Sequence, residues 1–175
     1  MRIPRFKLER FFAEYEFNVE HFLCGSDCES VSIDELLALE PDADVRFREH
    51  WLGYTESQGS PLLREAIAGI YETVAADDVL VHAGAEEAIF TVMNAVLSPG
   101  DHIIVHSPSY QSLSEIARII GCDVTLWRAD EAKDWAVDVD ELRAAVSERT
   151  RLIVINVPHN PTGYLMARDE FLQVS

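Results

Sequence analysis

Residues Arg151–Gly163, RLIVINVPHNPTG, run an apolar stretch straight into a stiff polar corner. Leu152, Ile153, Val154 and Ile155 are an unbroken apolar run, the pattern of a buried strand rather than of a half-exposed one. In Pro158-His159-Asn160-Pro161-Thr162-Gly163 the prolines fix φ and remove amide donors, while the glycine admits φ > 0. In open α/β sheets such a corner, at the carboxyl end of a strand, is where ligand groups are presented. Asn160 stands there with an amide that both donates and accepts. Taken alone, the same residues make an ordinary strand-ending turn.

The order of elements favours the α/β reading. A helix over about residues 5–15 and a short apolar stretch at Phe22–Cys24 come first. Ser32-Ile33-Asp34-Glu35 is a capping box that predicts a helix through Leu39, stopped by Pro41. A loop with Trp51, Gly53, Tyr54 and Gly59 precedes Ser60-Pro61, the cap and first position of a helix carrying Leu62, Leu63, Ala66, Ile67 and Ile70. Strands are then expected at Val79–His82, Ile103–His106, Val124–Trp127 and Leu152–Asn156. Helices are expected between them at Glu86–Leu97, Ser109–Ile120 and Asp140–Val146, with another beginning near Arg168. Alternation of this kind predicts an α/β fold: a mostly parallel sheet with helices on both faces, preceded by an N-terminal helical arm.

Composition narrows the function classes. The chain has 175 residues and a net charge of −17, from 31 acidic against 14 basic residues. So acidic a surface disfavours binding to nucleic acid or to an anionic membrane, both of which rest on cationic patches. No apolar run approaches the ~20 residues that cross a bilayer, and the charged N-terminus lacks a signal core, so a cytoplasmic location is expected. Three cysteines, Cys24, Cys28 and Cys122, do not make a disulfide framework, and no HExxH or paired-cysteine spacing predicts a metal site.

Three further corners could carry chemistry. Val81-His82-Ala83-Gly84-Ala85-Glu86 reads as a strand, a glycine corner and a helix start, where free amides and the helix dipole favour an anion. The pattern is neither G-x-G-x-x-G nor a P-loop, so it would take a single phosphate, with Glu86 and Glu87 turning their carboxylates away. His106-Ser107-Pro108-Ser109-Tyr110 ends the next strand with an aromatic that could lie on a planar ring or simply pack on a loop. Tyr54, in the loop before Gly59 and Leu63-Arg64, could reach a phosphate.

Together, Tyr54…Gly59…Leu63-Arg64, HAGAEEAI (82–89), PGD (99–101), HSPSY (106–110) and NVPHNPTG (156–163) resemble the class I/II aminotransferases, fold-type-I enzymes that use pyridoxal 5'-phosphate. The resemblance implies residues 1–50 as an N-terminal arm with part of the small domain, and residues 51–175 as the first part of the large cofactor domain. It implies roles as well. Gly84, Ala85 and Glu86 match the phosphate-binding turn, Tyr110 the residue that stacks on the pyridine ring, and Asn160 the partner of the ring's phenolic oxygen. Tyr54 matches a tyrosine that reaches the cofactor of a neighbouring subunit, implying a homodimer. Gly25 lies where the family places a loop near the substrate carboxylate. Implied substrates are an amino acid and a 2-oxo acid.

The family's Schiff-base lysine has no match. The two lysines, Lys7 and Lys133, lie in charged segments that stabilise the ammonium form, whereas such a lysine needs a desolvated pocket. The expectation is therefore the N-terminal portion of an aminotransferase that cannot transaminate alone. A lyase or synthase of the same fold is the alternative, as is a non-catalytic phosphate-binding module completed by another chain.

Overall fold

The computed structural model describes residues 4–174. Two compact units emerge, one built from residues 4–26 and 84–174 and the other from Asp27–Ala83.

The first unit holds the sheet. Strands β1 (His102–Ser107), β2 (Asp123–Arg128) and β3 (Thr150–Val154) lie in the order β2-β1-β3. Both pairings are parallel, with His102 opposite Asp123 and Val105 opposite both Leu126 and Val154. Because side chains alternate along a strand, each strand divides its residues between two covers. Ile103 and Val105, with Val124, Leu126, Leu152 and Val154, meet Met93, Leu97 and Ala117 on one face. That cover is α5 (Ala85–Val96) and α6 (Ser112–Ile120). Ile104, Trp127 and Ile153 meet Val137, Leu142 and Met166 on the other. There α7 (Val139–Ala145) and α8 (Arg168–Val174) supply Leu142 and Val174. Helices cover both faces of a parallel sheet, as the alternation predicts.

Local chemistry sets the element ends. Gly121 closes α6 at φ +104, its amide bonding back to Ala117 O while Cys122 N reaches the same carbonyl at 3.0 Å. A Cβ on Gly121 would come within 3.3 Å of Pro99, so both conformation and space call for glycine. Trp127 is buried and its Nε1 donates to Asp138 O at 2.7 Å, satisfying the one polar atom it carries inward. The opening helix α1 (Lys7–Tyr15) belongs to this unit and buries none of its residues.

The second unit contains α2 (Ile33–Leu37), α3 (Ala43–Arg48) and α4 (Pro61–Ala68). The capping box at the head of α2 forms, with Glu35 N donating to Ser32 Oγ at 3.2 Å and Ser32 N to Glu35 Oε2 at 2.7 Å. Helix α3 was not expected; ion pairs from Arg46 to Glu40 and from Arg48 to Asp44 accompany it. Arg64 of α4 is buried and donates to Gly59 O at 3.2 Å and Ala76 O at 2.9 Å, tying the turn before its helix to the one after.

One expected strand is corrected. Val79–His82 is extended but is not part of the sheet. Val81 N donates to Gln58 O at 2.9 Å, beside the Gly59 turn, and among the described residues the segment joins no strand ladder. A strand needs a paired neighbour along its length, and sequence pattern alone does not reveal whether one is present.

Among the described residues no helix is long and apolar enough to cross a membrane. Several large apolar side chains stand in solvent, with Leu23, Leu52 and Tyr54 exposed by 93%, 92% and 99%.

Candidate functional site

Two of the expected corners leave the sheet side by side. Because β1 and β3 run parallel, Pro108-Ser109-Tyr110 and Val157–Gly163 depart from the same end. A ring stack joins them: His106, the penultimate residue of β1, lies face to face with His159 at 3.7 Å between centroids and 18° between planes. Trp127 of β2 flanks His106 at 5.5 Å. The corner is closed by its own side chains. His159 Nδ1 lies 2.7 Å from Thr162 Oγ1, Gly163 N donates to His159 O at 2.7 Å, and His159 N donates to Tyr164 O at 2.8 Å. These bonds leave Asn160 exposed at the tip, its backbone N–H donating to Asn156 Oδ1 at 3.3 Å.

The third corner, Gly84–Glu86, is tied to the others through Ser112. This residue lies two positions beyond Tyr110 and donates from Oγ to Glu86 Oε1 at 2.8 Å. The bond turns the Glu86 carboxylate toward α6. Gly84 caps α5 with φ +150, a conformation that L side chains rarely adopt. A Cβ at Gly84 would meet no heavy atom within 4 Å. A helix start at a glycine beside open space suits a small anion, because the helix dipole adds positive potential there.

Tyr110 is half-buried, and burial together with the neighbouring Glu9 pushes its hydroxyl up to about 12, so the phenol stays neutral. The imidazoles behind the corner are neutral for a related reason. Burial, then the neighbouring His159, pulls His106 down to about 4, and burial also lowers His159 against the opposing Pro108 carbonyl. His106 keeps neither ring nitrogen bonded among the described residues.

Of the remaining expected residues, Gly25 is exposed and its next neighbour, Ser26, accepts from Asn160 Nδ2 at 3.4 Å. That bond brings the Gly25-Ser26 segment to the Asn160 corner. Tyr54 belongs to the other unit and is exposed. Lys7 and Lys133 are both exposed, and Lys133 pairs with Asp130 at 3.4 Å. An apolar groove of about 370 Å³ opens between α5 and α6, walled by Phe6, Phe90 and Ile116 with Glu86 and Gln111; Tyr110 and Asn160 do not line it.

No local pattern signals that His106 and His159 stack, nor that Glu9, Phe6 and Ser112 touch the corners. Each of these contacts joins segments far apart in the chain. Only His159 carried a signal, by standing inside the corner that holds Asn160.

The parallel sheet with helices on both faces thus gathers a helix start, an aromatic and an amide near one end, and defines an α/β protein of the doubly wound kind. The family model "Aminotransferase class I and II" matches residues 30–175, and the chain belongs to that family. Its relatives include a capreomycidine synthase from Streptomyces vinaceus, 32% identical over 92% of this chain and 42% of its own length. An aspartate aminotransferase from Sulfurisphaera tokodaii is 33% identical over 66% of this chain and 30% of its own length. Among solved structures, a PLP-dependent aminotransferase from Streptococcus suis superposes with a TM-score of 0.91 at 30% identity, over 99% of this chain and 48% of that one. The chain thus spans less than half the length of each of these relatives.

Proposed function

We propose that this chain forms the cofactor-gripping portion of a pyridoxal 5'-phosphate-dependent aminotransferase that acts on an amino acid and a 2-oxo acid. The observation that carries the reading is the linkage of three corners, Gly84–Glu86 to Tyr110 through Ser112 and Tyr110 to Asn160 through the histidine stack. When bound, the cofactor supplies an electron-withdrawing ring that takes up negative charge as a bond at the substrate's Cα breaks.

In this reading the Gly84, Ala85 and Glu86 backbone receives the phosphate, with the Glu86 carboxylate held aside by Ser112. Tyr110 covers one ring face, and its high pKa keeps the phenol uncharged there. Asn160 donates its side-chain amide to the phenolic oxygen, held in place by the closed His159–Tyr164 turn behind it. Gly25 and Ser26 lie toward the substrate side of Asn160. Tyr54, wholly exposed, is free to serve the cofactor of a second subunit, which makes the working form a homodimer. Residues 1–50 then belong to the arm and part of the small domain, and residues 51–175 to the first part of the large domain. The location that goes with this reading is the cytoplasm.

Lys7 and Lys133 do not serve as the covalent attachment point. Both stand in water, outside any desolvated pocket of the kind a nucleophilic lysine requires. These 175 residues alone therefore do not transaminate. Borohydride reduction in the presence of the cofactor checks this, and a stoichiometric adduct on either lysine would refute it.

A second reading, a synthase of the same fold, is favoured by one observation: the capreomycidine synthase matches 92% of this chain, against 66% for the aspartate aminotransferase. Both readings share the cofactor grip. Titration with pyridoxamine 5'-phosphate and with pyridoxamine tests it. The phosphorylated compound binds at least about tenfold tighter, and Gly84→Val, strained by roughly 1–3 kcal/mol at its φ, abolishes the difference. Equal affinity for the two compounds would refute the grip.

A further inference from the structure

The opening segment adds nothing to the sheet's core, since α1 has no buried residue. It nevertheless lands on the candidate site through four contacts. Lys7 N donates to Gln111 Oε1 at 2.9 Å, and Gln111 Nε2 donates to Arg5 O at 3.2 Å. One glutamine side chain thus pins the start of α1 beside Tyr110. The half-buried Phe6 ring lies 4.9 Å from the Tyr110 ring at a tilt of 54°. The Tyr110 hydroxyl donates to Glu9 Oε1 at 3.1 Å, across 101 residues of sequence.

We propose that Phe6 and Glu9 are positioning residues for Tyr110, so that the N-terminal segment is a working wall of the cofactor site. The inference rests on Tyr110 covering a face of the cofactor ring, and it deepens that reading. A tyrosine has two torsions, and ring-on-ring contact demands that both be held. Phe6 packs against the ring and resists its swinging about Cα–Cβ. Glu9 holds the far end of the ring by its hydroxyl, which resists displacement of the ring edge. A carboxylate acceptor also enriches the phenol's electron density, and an electron-rich face suits an electron-poor pyridine ring. Glu86, whose charge also acts on Tyr110, accepts instead from Ser112, and the tyrosine hydroxyl donates to Glu9.

The arrangement separates positioning from stability. Because α1 lies outside the core, cutting its contacts leaves the sheet folded, and the thermal midpoint serves as the control.

The test is a double-mutant cycle read by pyridoxamine 5'-phosphate affinity, with ¹⁹F NMR of fluorotyrosine-labelled chain as a cofactor-free readout and Tyr110→Phe assigning the Tyr110 signal. Glu9→Ala weakens affinity about fivefold, the worth of one hydrogen bond, and Glu9→Gln, which keeps an acceptor oxygen, restores most of it. In a Tyr110→Phe background Glu9→Ala has no further effect, because the interaction it removes is already gone. Phe6→Ala also weakens affinity, and both alanine variants shift the Tyr110 signal without cofactor. Equal loss from Glu9→Ala in both backgrounds would overturn the proposal. So would a gain in affinity on Phe6→Ala, which would show Phe6 filling the cofactor's place. An unchanged Tyr110 signal in Glu9→Ala overturns it as well. A wild-type chain that binds no pyridoxamine 5'-phosphate sinks the proposed function instead, and the ¹⁹F signals still decide whether the brace exists.

Discussion

His102 and His106 sit four residues apart on β1, on the same face of the sheet, exposed by only 7% and 2%. At the amino end, His102 Nδ1 lies 2.8 Å from Thr150 of β3 and Nε2 lies 2.9 Å from Thr125 of β2. One imidazole spans all three strands, and each nitrogen has a partner. At the carboxyl end His106 has no partner among the described residues and lies against another imidazole. Buried polar atoms without partners cost about 1–3 kcal/mol each, so an arrangement of this kind persists where something other than cohesion selects it. The amino end of the strand serves cohesion, while the carboxyl end backs the corner that presents Asn160.

Acid should separate the two ends most sharply. The native His106 pKa of about 4 lies below the ordinary 6.5 of an unfolded histidine, so between those values the unfolded chain binds the extra proton. Stability therefore falls as pH drops from 6.5 to 4, by roughly 3 kcal/mol from this residue. The difference between urea-unfolding free energies of wild type and His106→Phe across that window should carry this slope. His159, also held low, contributes in the same direction in both proteins. Parallel curves for the two proteins would mean that His106 protonates freely in the fold.

At pH 7 the ranking reverses. His102→Leu takes the imidazole partner from the hydroxyls of Thr125 and Thr150, of which Thr150 keeps Ser147 N, and should cost about 2 kcal/mol by the same urea measurement. Asn160→Ala should leave unfolding nearly untouched, because the side chain is exposed at the tip. It should weaken pyridoxamine 5'-phosphate binding about fivefold, the worth of one hydrogen bond. The smallest effect belongs to His106→Phe at neutral pH. Replacing an unsatisfied imidazole by an apolar ring keeps the stack on His159, and the urea midpoint should move by less than about 1 kcal/mol in either direction. A large loss there would show that the imidazole nitrogens have a partner that matters.

The legible part of the molecule was periodic or punctuated. Ile103 and Val105 alternate with Ile104 along β1, Gly121 ends α6, and the Pro158–Gly163 corner follows β3, each dictated within a few residues. Gly84 at the head of α5 was equally plain from its place before Ala85-Glu86. What sequence left hidden depends on distant neighbours. Val79–His82 has the composition of a strand and lacks the ladder. His102 and His106 read only as the two ends of a strand, and nothing local distinguishes the one that finds threonines from the one that does not. Glu9 reaches Tyr110 only because the chain folds back across the sheet's carboxyl end.

Leu23, Leu52 and Tyr54 face solvent on a polypeptide of net charge −17. Bare apolar groups pull copies together while like charge drives them apart, and only the second influence fades with salt. The Debye length shrinks from about 10 Å at 0.1 M to about 3 Å at 1 M, so colloidal behaviour becomes a matter of ionic strength. Dilute buffer keeps the particles dispersed, and brine lets them cluster.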